Sequence, residues 1–296
     1  LNNATPHALF IDLGASASDV WVVNDGYWGI AVTEGQRYNF QFYLFTEELK
    51  NTVVTAALLD CEEQIVVSKN FQIERDGSWN HYEGAFTVDT TANDLRFALL
   101  LPHKGKVYID FVSMFPENTF CGHKNGLRED VAGMLRDLRP DFVRWPGGCI
   151  VEGLTMDNRI KWKETIGDIV KRPGEYNLWG YRSTYGFGYH EFLQFCEDID
   201  ADGLFVCNAG MSCLFRNGDY WEEENRIDNL IQDALDAVEY ALGDTTTVYG
   251  KRRAENGHAA PFPLKYVEVG NENVGLRYVK NYNRFYKAIK EKYPQI

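Results

Sequence analysis

Over residues 1 to about 116 the apolar positions recur with a period of two. Tyr38, Phe40, Phe42 and Leu44 fall on one face, with Asn39 and Gln41 on the other. Val107, Ile109 and Phe111 repeat the pattern, with Asp110 facing away. Shorter apolar runs lie between them at 53–58, 65–67, 71–73 and 95–101. Turn-forming pairs separate the runs: Asn24-Asp25-Gly26, Glu34-Gly35, Asp76-Gly77 and Lys104-Gly105. Successive side chains of a strand point to opposite faces, so this rhythm predicts strands. Many short strands with no helical period predict an antiparallel β-sandwich.

From about residue 122 the rhythm changes. Leu127, Val131, Met134, Leu135 and Leu138 share one helical face, and Pro140 ends that helix. A strand is predicted at 142–145, then a long Gly- and Tyr-rich loop to Tyr189. A helix carries Phe192, Leu193, Phe195, Cys196 and Ile199, and a strand follows at 204–208. Ile227, Leu230, Ile231, Ala234, Leu235, Val238 and Leu242 pattern a long helix. The next strand holds Tyr266, and a last helix carries Tyr278, Tyr282, Phe285 and Ile289. Alternating strands and helices at this spacing predict a parallel sheet of βα units. An eight-stranded barrel takes about 250 residues. The second domain is therefore expected to be part of a (β/α)8 TIM barrel, or the chain a fragment. The fold class is multidomain, β followed by α/β, with domains at 1–116 and 117–296. The junction is placed at Phe115-Pro116-Glu117-Asn118-Thr119.

Composition narrows the function. A net charge of −13 argues against nucleic acid and anionic membranes, both of which select a basic surface. Neutral polysaccharide is not repelled. The aromatic content of 14% fits a large core, and it leaves room for sugar-stacking platforms at Trp21, Trp28 or Trp79. No apolar run approaches the roughly 18 residues of a membrane-spanning helix. The opening Leu1 is read as a sign that upstream sequence has been removed. The cysteines Cys61, Cys121, Cys149, Cys196, Cys207 and Cys213 form no CxxC pair, so free thiols are expected and no structural metal. The histidines form no HxH or HExxH pattern, and no GxSxG is present.

The chemistry concentrates where strands should end. Tyr266-Val267-Glu268-Val269 alternates and runs into Gly270-Asn271-Glu272. Barrel active sites form at the C-terminal ends of the strands. A carboxyl there can protonate a leaving oxygen while a neighbouring amide binds a sugar hydroxyl, which is half of a glycosidase. A second carboxylate has no evident candidate before Ile296. Arg144, at the end of its own strand before Pro146-Gly147-Gly148, suits holding a carboxylate in place, although an ordinary βα turn with a surface Arg reads equally well. Cys149 beside the glycines is expected to be a pocket wall rather than a nucleophile, since no His is placed to activate it. Asn208 at a strand end bonds a sugar hydroxyl or caps its loop. Trp179, in the loop 177–186, stacks on a sugar face or packs over that loop.

With these residues in view, the chain resembles the family 51 glycoside hydrolases, the α-L-arabinofuranosidases. Its marks are Gly29-Ile30-Ala31-Val32, Trp79-Asn80-His81-Tyr82 and Val112-Ser113-Met114-Phe115-Pro116 in the first half. In the second they are Asn125-Gly126-Leu127-Arg128, Phe142-Val143-Arg144-Trp145-Pro146-Gly147-Gly148, Asn177-Leu178-Trp179-Gly180-Tyr181-Arg182-Ser183, Gly188-Tyr189-His190-Glu191-Phe192 and Gly270-Asn271-Glu272. The resemblance implies a jelly-roll, carbohydrate-module-like sandwich and a catalytic barrel. It implies retention of configuration through two glutamates. Glu272 matches the acid/base, Asn271 the partner of the sugar 2-hydroxyl, and Arg144 the arginine that supports the nucleophile. Substrate contacts extend to Cys149, Asn208 and Trp179. Many members read Gly-Gly-Asn where this chain has Cys149, so one sugar contact differs. The nucleophile is expected after the seventh strand, beyond Ile296, so the 296 residues alone are expected to be inactive. The implied substrate is an arabinan- or arabinoxylan-type carbohydrate, with no cofactor and a secreted or periplasmic location. Xylanase- or glucanase-like activity, or non-catalytic carbohydrate binding, are the alternatives. A homo-oligomer is compatible with the chain.

Overall fold

The computed structural model describes residues 1–296 apart from 16, 17, 19, 48–51, 74–76 and 103. Asp76 of the predicted Asp76-Gly77 turn and His103 lie outside the described residues. The chain divides into two compact units, Leu1–Met134 and Leu135–Ile296.

The first unit is built on strands β1 (Leu9–Ala15), β2 (Val20–Asn24), β3 (Ile30–Val32), β4 (Arg37–Thr46), β5 (Val53–Leu59), β6 (Ile65–Gln72), β7 (Trp79–Thr87), β8 (Ala92–Leu101) and β9 (Lys104–Pro116). One sheet has the order β1-β9-β4-β7, the other β2-β8-β5-β6, and β3 also pairs with β8. All these pairings are antiparallel. Alternation does the sorting. Tyr38, Phe40, Phe42 and Leu44 of β4 are buried together with Val54, Ala56 and Leu58 of β5 and Leu95, Phe97 and Leu99 of β8. Phe40 stacks on Phe86 with ring centroids 4.3 Å apart. Two antiparallel sheets that share one apolar core make a β-sandwich.

The alternation expected of β9 fails at Phe111. Phe111 was expected on the buried face with Val107 and Ile109. A register shift between Gln41 and Tyr43 of β4 breaks its pairing with β9, and Phe111 takes φ 43°. The extra residue of a bulge turns the following side chains to the other face. Phe111 therefore meets Tyr43 edge-on at 6.5 Å, while Val107 and Ile109 stay buried. Of the candidate platforms, Trp28 is 89% exposed and lies against Tyr27. Trp21 packs on Ala57, Leu59 and Ala98, and Trp79 on Phe45. A polar concavity of about 590 Å³ on this unit is lined by Asn39, Gln41, Lys69, His81, Glu83 and His123 among others.

Helix α1 (Glu129–Asp137) carries the chain into the second unit, whose strands β10 (Phe142–Trp145), β13 (Asp202–Cys207) and β14 (Leu264–Val269) form a parallel sheet in the order β10-β13-β14. The segment from 146 to 188 was expected to be one long loop. It contains a short helix α2 (Gly148–Glu152) and a small hairpin of β11 (Glu175–Tyr176) and β12 (Arg182–Ser183). Elements this short leave no readable period. Helices α3 (Tyr189–Asp198), α4 (Glu224–Leu242), α5 (Val248–Glu255) and α6 (Gly275–Lys292) complete the unit. The apolar stripes of α3 and α4 bury Phe192, Leu193, Ile227, Leu230 and Ala234 with Trp145 and Phe205 of the sheet. Trp145 stacks on Phe192 at 5.7 Å and 16°.

α5 has no apolar stripe to announce it, and its anchor is a cation. Arg253 is fully buried and donates to the carbonyls of Tyr240, Ala241, Gly243, His258 and Ala259. The last carbonyls of a helix lack intrahelical partners. Arg253 supplies them at the end of α4 and ties the following loop to the same point.

Candidate active site

All three parallel strands end on one edge of their sheet, and the chemistry collects there. On β10, Arg144 reaches across the central strand to β14. Its Nε donates to Glu268 Oε2 at 2.7 Å, and its Nη2 to Glu268 Oε1 at 2.6 Å and Asn271 Oδ1 at 3.0 Å. Two strand spacings are about 9–10 Å, which an extended arginine covers. The two-pronged bond to Glu268 raises the guanidinium pKa and fixes its plane.

Past Val269 the backbone turns. Gly270 sits at φ 76°, and its N–H still donates to Cys207 O at 2.7 Å, extending the ladder with β13. A Cβ on Gly270 would come within 2.3 Å of Asn273 Oδ1, so the turn requires glycine here. Glu272 then adopts φ 47°, a left-handed conformation that a non-glycine residue rarely takes. Held strain of this kind concentrates at functional sites. The Glu272 side chain is solvent-exposed. Its Oε2 lies 3.5 Å from Asn271 Nδ2 and 3.8 Å from Cys149 Sγ.

Asn271 is the hub. Its Oδ1 accepts from Arg144, and its Nδ2 donates to Glu152 Oε2 at 3.3 Å. Gly148 lies directly beneath, where a Cβ would approach Asn271 Oδ1 to 3.0 Å. Glu152, at the end of α2, is almost fully buried and also accepts from Asn273 Nδ2 at 2.7 Å. Burial raises its pKa and the Glu272 charge adds to this, against the lowering pull of the two asparagine amides. Burial likewise pushes the Cys149 thiol up to about 11, with Cys213 next in effect. A thiol that stays protonated is a poor nucleophile.

Arg144, Asn271, Glu272 and Cys149 thus form one connected group. Asn208 lies just past β13, and its amide is spent on backbone. Nδ2 donates to Val151 O and Met211 O, and Oδ1 accepts from the N–H groups of Gly210 and Met211. Trp179 stands on the β11–β12 hairpin with 48% of its surface exposed, and its N–H is held by Asn177 Oδ1. Glu152, Cys213, Glu268 and Asn273 were not singled out from the sequence. Glu268 did leave a trace, as a charge between Val267 and Val269 at the end of its strand. Glu152 left another, three residues from Cys149 on the turn that follows β10.

The model of the α-L-arabinofuranosidase 1 domain matches residues 134–296. α-L-Arabinofuranosidase 1 of Arabidopsis thaliana is 37% identical over 286 residues, 96% of this chain and 41% of the relative. An extracellular exo-α-L-arabinofuranosidase of Streptomyces chartreusis is 36% identical over 300 residues, 97% of this chain and 35% of the relative. A solved structure of an arabinose-bound family 51 α-L-arabinofuranosidase superposes with a TM-score of 0.91 at 29% identity, covering 100% of this chain and 48% of that one. The chain therefore spans less than half the length of each of these proteins.

Proposed function

The chain belongs to the family 51 α-L-arabinofuranosidases, and from that membership we propose that it serves a retaining glycoside hydrolase releasing terminal α-L-arabinofuranosyl groups from arabinan- or arabinoxylan-type carbohydrate. The observation that carries the reading is Glu272, an exposed carboxylate held at φ 47° beside the Asn271 amide at the end of a parallel strand. In this reading the parallel sheet is part of a (β/α)8 barrel, and the sandwich is a jelly-roll of the carbohydrate-module kind. In this reading the domain division is 1–116 and 117–296, drawn where the last sandwich strand ends, although the compact units part later, at Met134.

Glu272, protonated at the outset, gives its proton to the glycosidic oxygen as the bond to the anomeric carbon breaks. As carboxylate it then takes a proton from the water that opens the glycosyl-enzyme ester. Arg144 and Glu152 fix the Asn271 amide on two sides, and its other Nδ2 proton, which makes only a long 3.5 Å contact to Glu272 Oε2, is the one a sugar 2-hydroxyl would take over. Cys149 lines the same mouth, with Asn208 closing the loop behind it and Trp179 offering a stacking face. The nucleophile is a second carboxylate, assigned by family resemblance to the seventh strand, about 5–5.5 Å from Glu272. The chemistry uses two carboxyls and needs no cofactor. An extracellular or periplasmic location accompanies this reading. Among the described residues no helix is long and apolar enough to cross a membrane.

The test is Glu272→Ala in the enzyme that also carries the nucleophile. Natural arabinosides should lose turnover by at least about 10²–10⁴-fold, the size of a general acid's contribution. Aryl arabinofuranosides with good leaving groups should lose far less in glycosylation, and azide should restore their turnover by replacing the water that needs a base. Equal losses on both substrates without azide rescue reject Glu272 as acid/base. Faster hydrolysis of aryl xyloside than of aryl arabinofuranoside would move the assignment to a xylanase-like barrel enzyme.

A further inference from the structure

Beside Glu272 lies a set of donors to which the glycosidase reading gives no chemical step: Cys149 only lines the mouth, Glu152 only positions Asn271, and Cys213 has no role. Cys149, Glu152 and Cys213 bring two sulfurs and a carboxylate oxygen within 4.8 Å of one another. The arrangement is built by the fold. Cys149 and Glu152 stand three residues apart on α2, so they share one side of it. Cys213 is brought in from the loop after β13, where its N–H donates to Gly153 O at 3.1 Å and pins it to the end of α2. Cys213 and Glu152 are buried, while Cys149 is half-buried and opens to the mouth.

Donors within 4.8 Å of one another need to close by no more than about 1 Å to hold a tetrahedral ion. Zinc–sulfur and zinc–oxygen bonds of about 2.3 and 2.0 Å at tetrahedral angles place neighbouring donors about 3.5–3.8 Å apart. Glu272 Oε2 lies 3.8 Å from Cys149 Sγ at the edge of this group, on an exposed side chain that is free of the packing that holds the other three. The Glu152 carboxylate is already oriented by the amides of Asn271 and Asn273, as outer-shell groups orient metal ligands. Two sulfurs select a soft cation such as Zn²⁺ or Cd²⁺ over Mg²⁺ or Ca²⁺.

We propose that Cys149, Glu152 and Cys213 form a binding site for a soft divalent cation, with Glu272 as the fourth ligand, so that metal binding blocks catalysis. On binding, the two thiols release their protons to solvent and the metal holds the thiolates. The inhibitory part rests on the function proposed above, whereas the binding part does not.

Cd²⁺ is the probe, because a cadmium–thiolate charge-transfer band in the ultraviolet reports ligation without any assay of activity. Purified, reduced protein carrying Cys61→Ser and Cys121→Ser, which removes the exposed thiols, is titrated with CdCl₂. One equivalent should saturate a band with the intensity of two thiolates. Cys149→Ser and Cys213→Ser should each lower it to that of one thiolate or abolish it. Glu152→Gln should keep the band and weaken affinity about 10–100-fold. Absence of the band in the parent protein overturns the site with no variant needed. A band of full intensity in folded Cys213→Ser overturns it equally. Zn²⁺ should stop arabinofuranoside turnover, and EDTA should restore it. Two-thiolate Cd²⁺ binding with turnover unaffected would remove Glu272 from the ligand set. If the enzyme that carries both carboxyls hydrolyses no arabinofuranoside, the function falls, but the absorbance still decides the site.

Discussion

Arg144 bonds at once to Glu268 and Asn271, so its planar fork sets the position of the amide beside Glu272. Lysine offers a single point charge and cannot hold both. In the enzyme that also carries the nucleophile, Arg144→Lys should therefore lower kcat/KM on an aryl arabinofuranoside by about 10²-fold, the scale of a misplacement near 1 Å. The change sits on a pair that is about one-third exposed, so the thermal midpoint should move little. A large loss of stability with catalysis intact would make Arg144 a structural residue only. At this scale the sequence disclosed what sits at strand ends. Arg144 sits near the end of its strand, Asn271 and Glu272 just past the end of theirs, and position along a strand is readable. It could not disclose Glu152, Cys213 or Asn273, whose meaning comes from side chains that meet only after α2 and two loops have folded.

At the scale of elements, period was informative wherever an element had one apolar face. β4, β10 and α4 appear close to where their patterns placed them. The bulge at Phe111 was hidden because one inserted residue changes the facing of a strand without changing its composition. α5 was hidden because it is anchored by Arg253 rather than by an apolar stripe. Replacing that residue should be severe. Arg253→Met keeps an apolar stem of similar length but strips partners from the five carbonyls it serves. Buried polar groups left unpaired cost about 1–3 kcal/mol each, and several of these can relax toward water. The expected loss is about 3–5 kcal/mol, read as a lower denaturation midpoint in urea. A loss under about 1 kcal/mol would mean that these carbonyls find water and that the anchor is dispensable.

Across the whole molecule, each unit has its own apolar core, and the second also exposes apolar surface. α6 is tied to α4 and the residues just before it by a ladder of ion pairs, Arg277–Glu222, Lys280–Glu224 and Arg284–Asp228. Phe285 and Ile289 face the core. Another stripe of the same helix, Leu276, Val279, Tyr282 and Tyr286, is 40–90% exposed. These positions recur every three or four residues, so they form a line down one side of α6. At the sheet, Phe142 and Tyr266 are also half-exposed and touch one another. Contiguous apolar surface of this kind drives association in water. The 296-residue chain should therefore bind the dye ANS and associate reversibly as its concentration rises, despite a net charge of −13. The double substitution Leu276→Glu and Val279→Glu should reduce both effects without changing the circular dichroism, because neither side chain belongs to the core. Sedimentation velocity over a concentration series makes the measurement. A monomer at every concentration, with no dye bound, would show that this stripe is too narrow or too interrupted by charge to act as a contact surface.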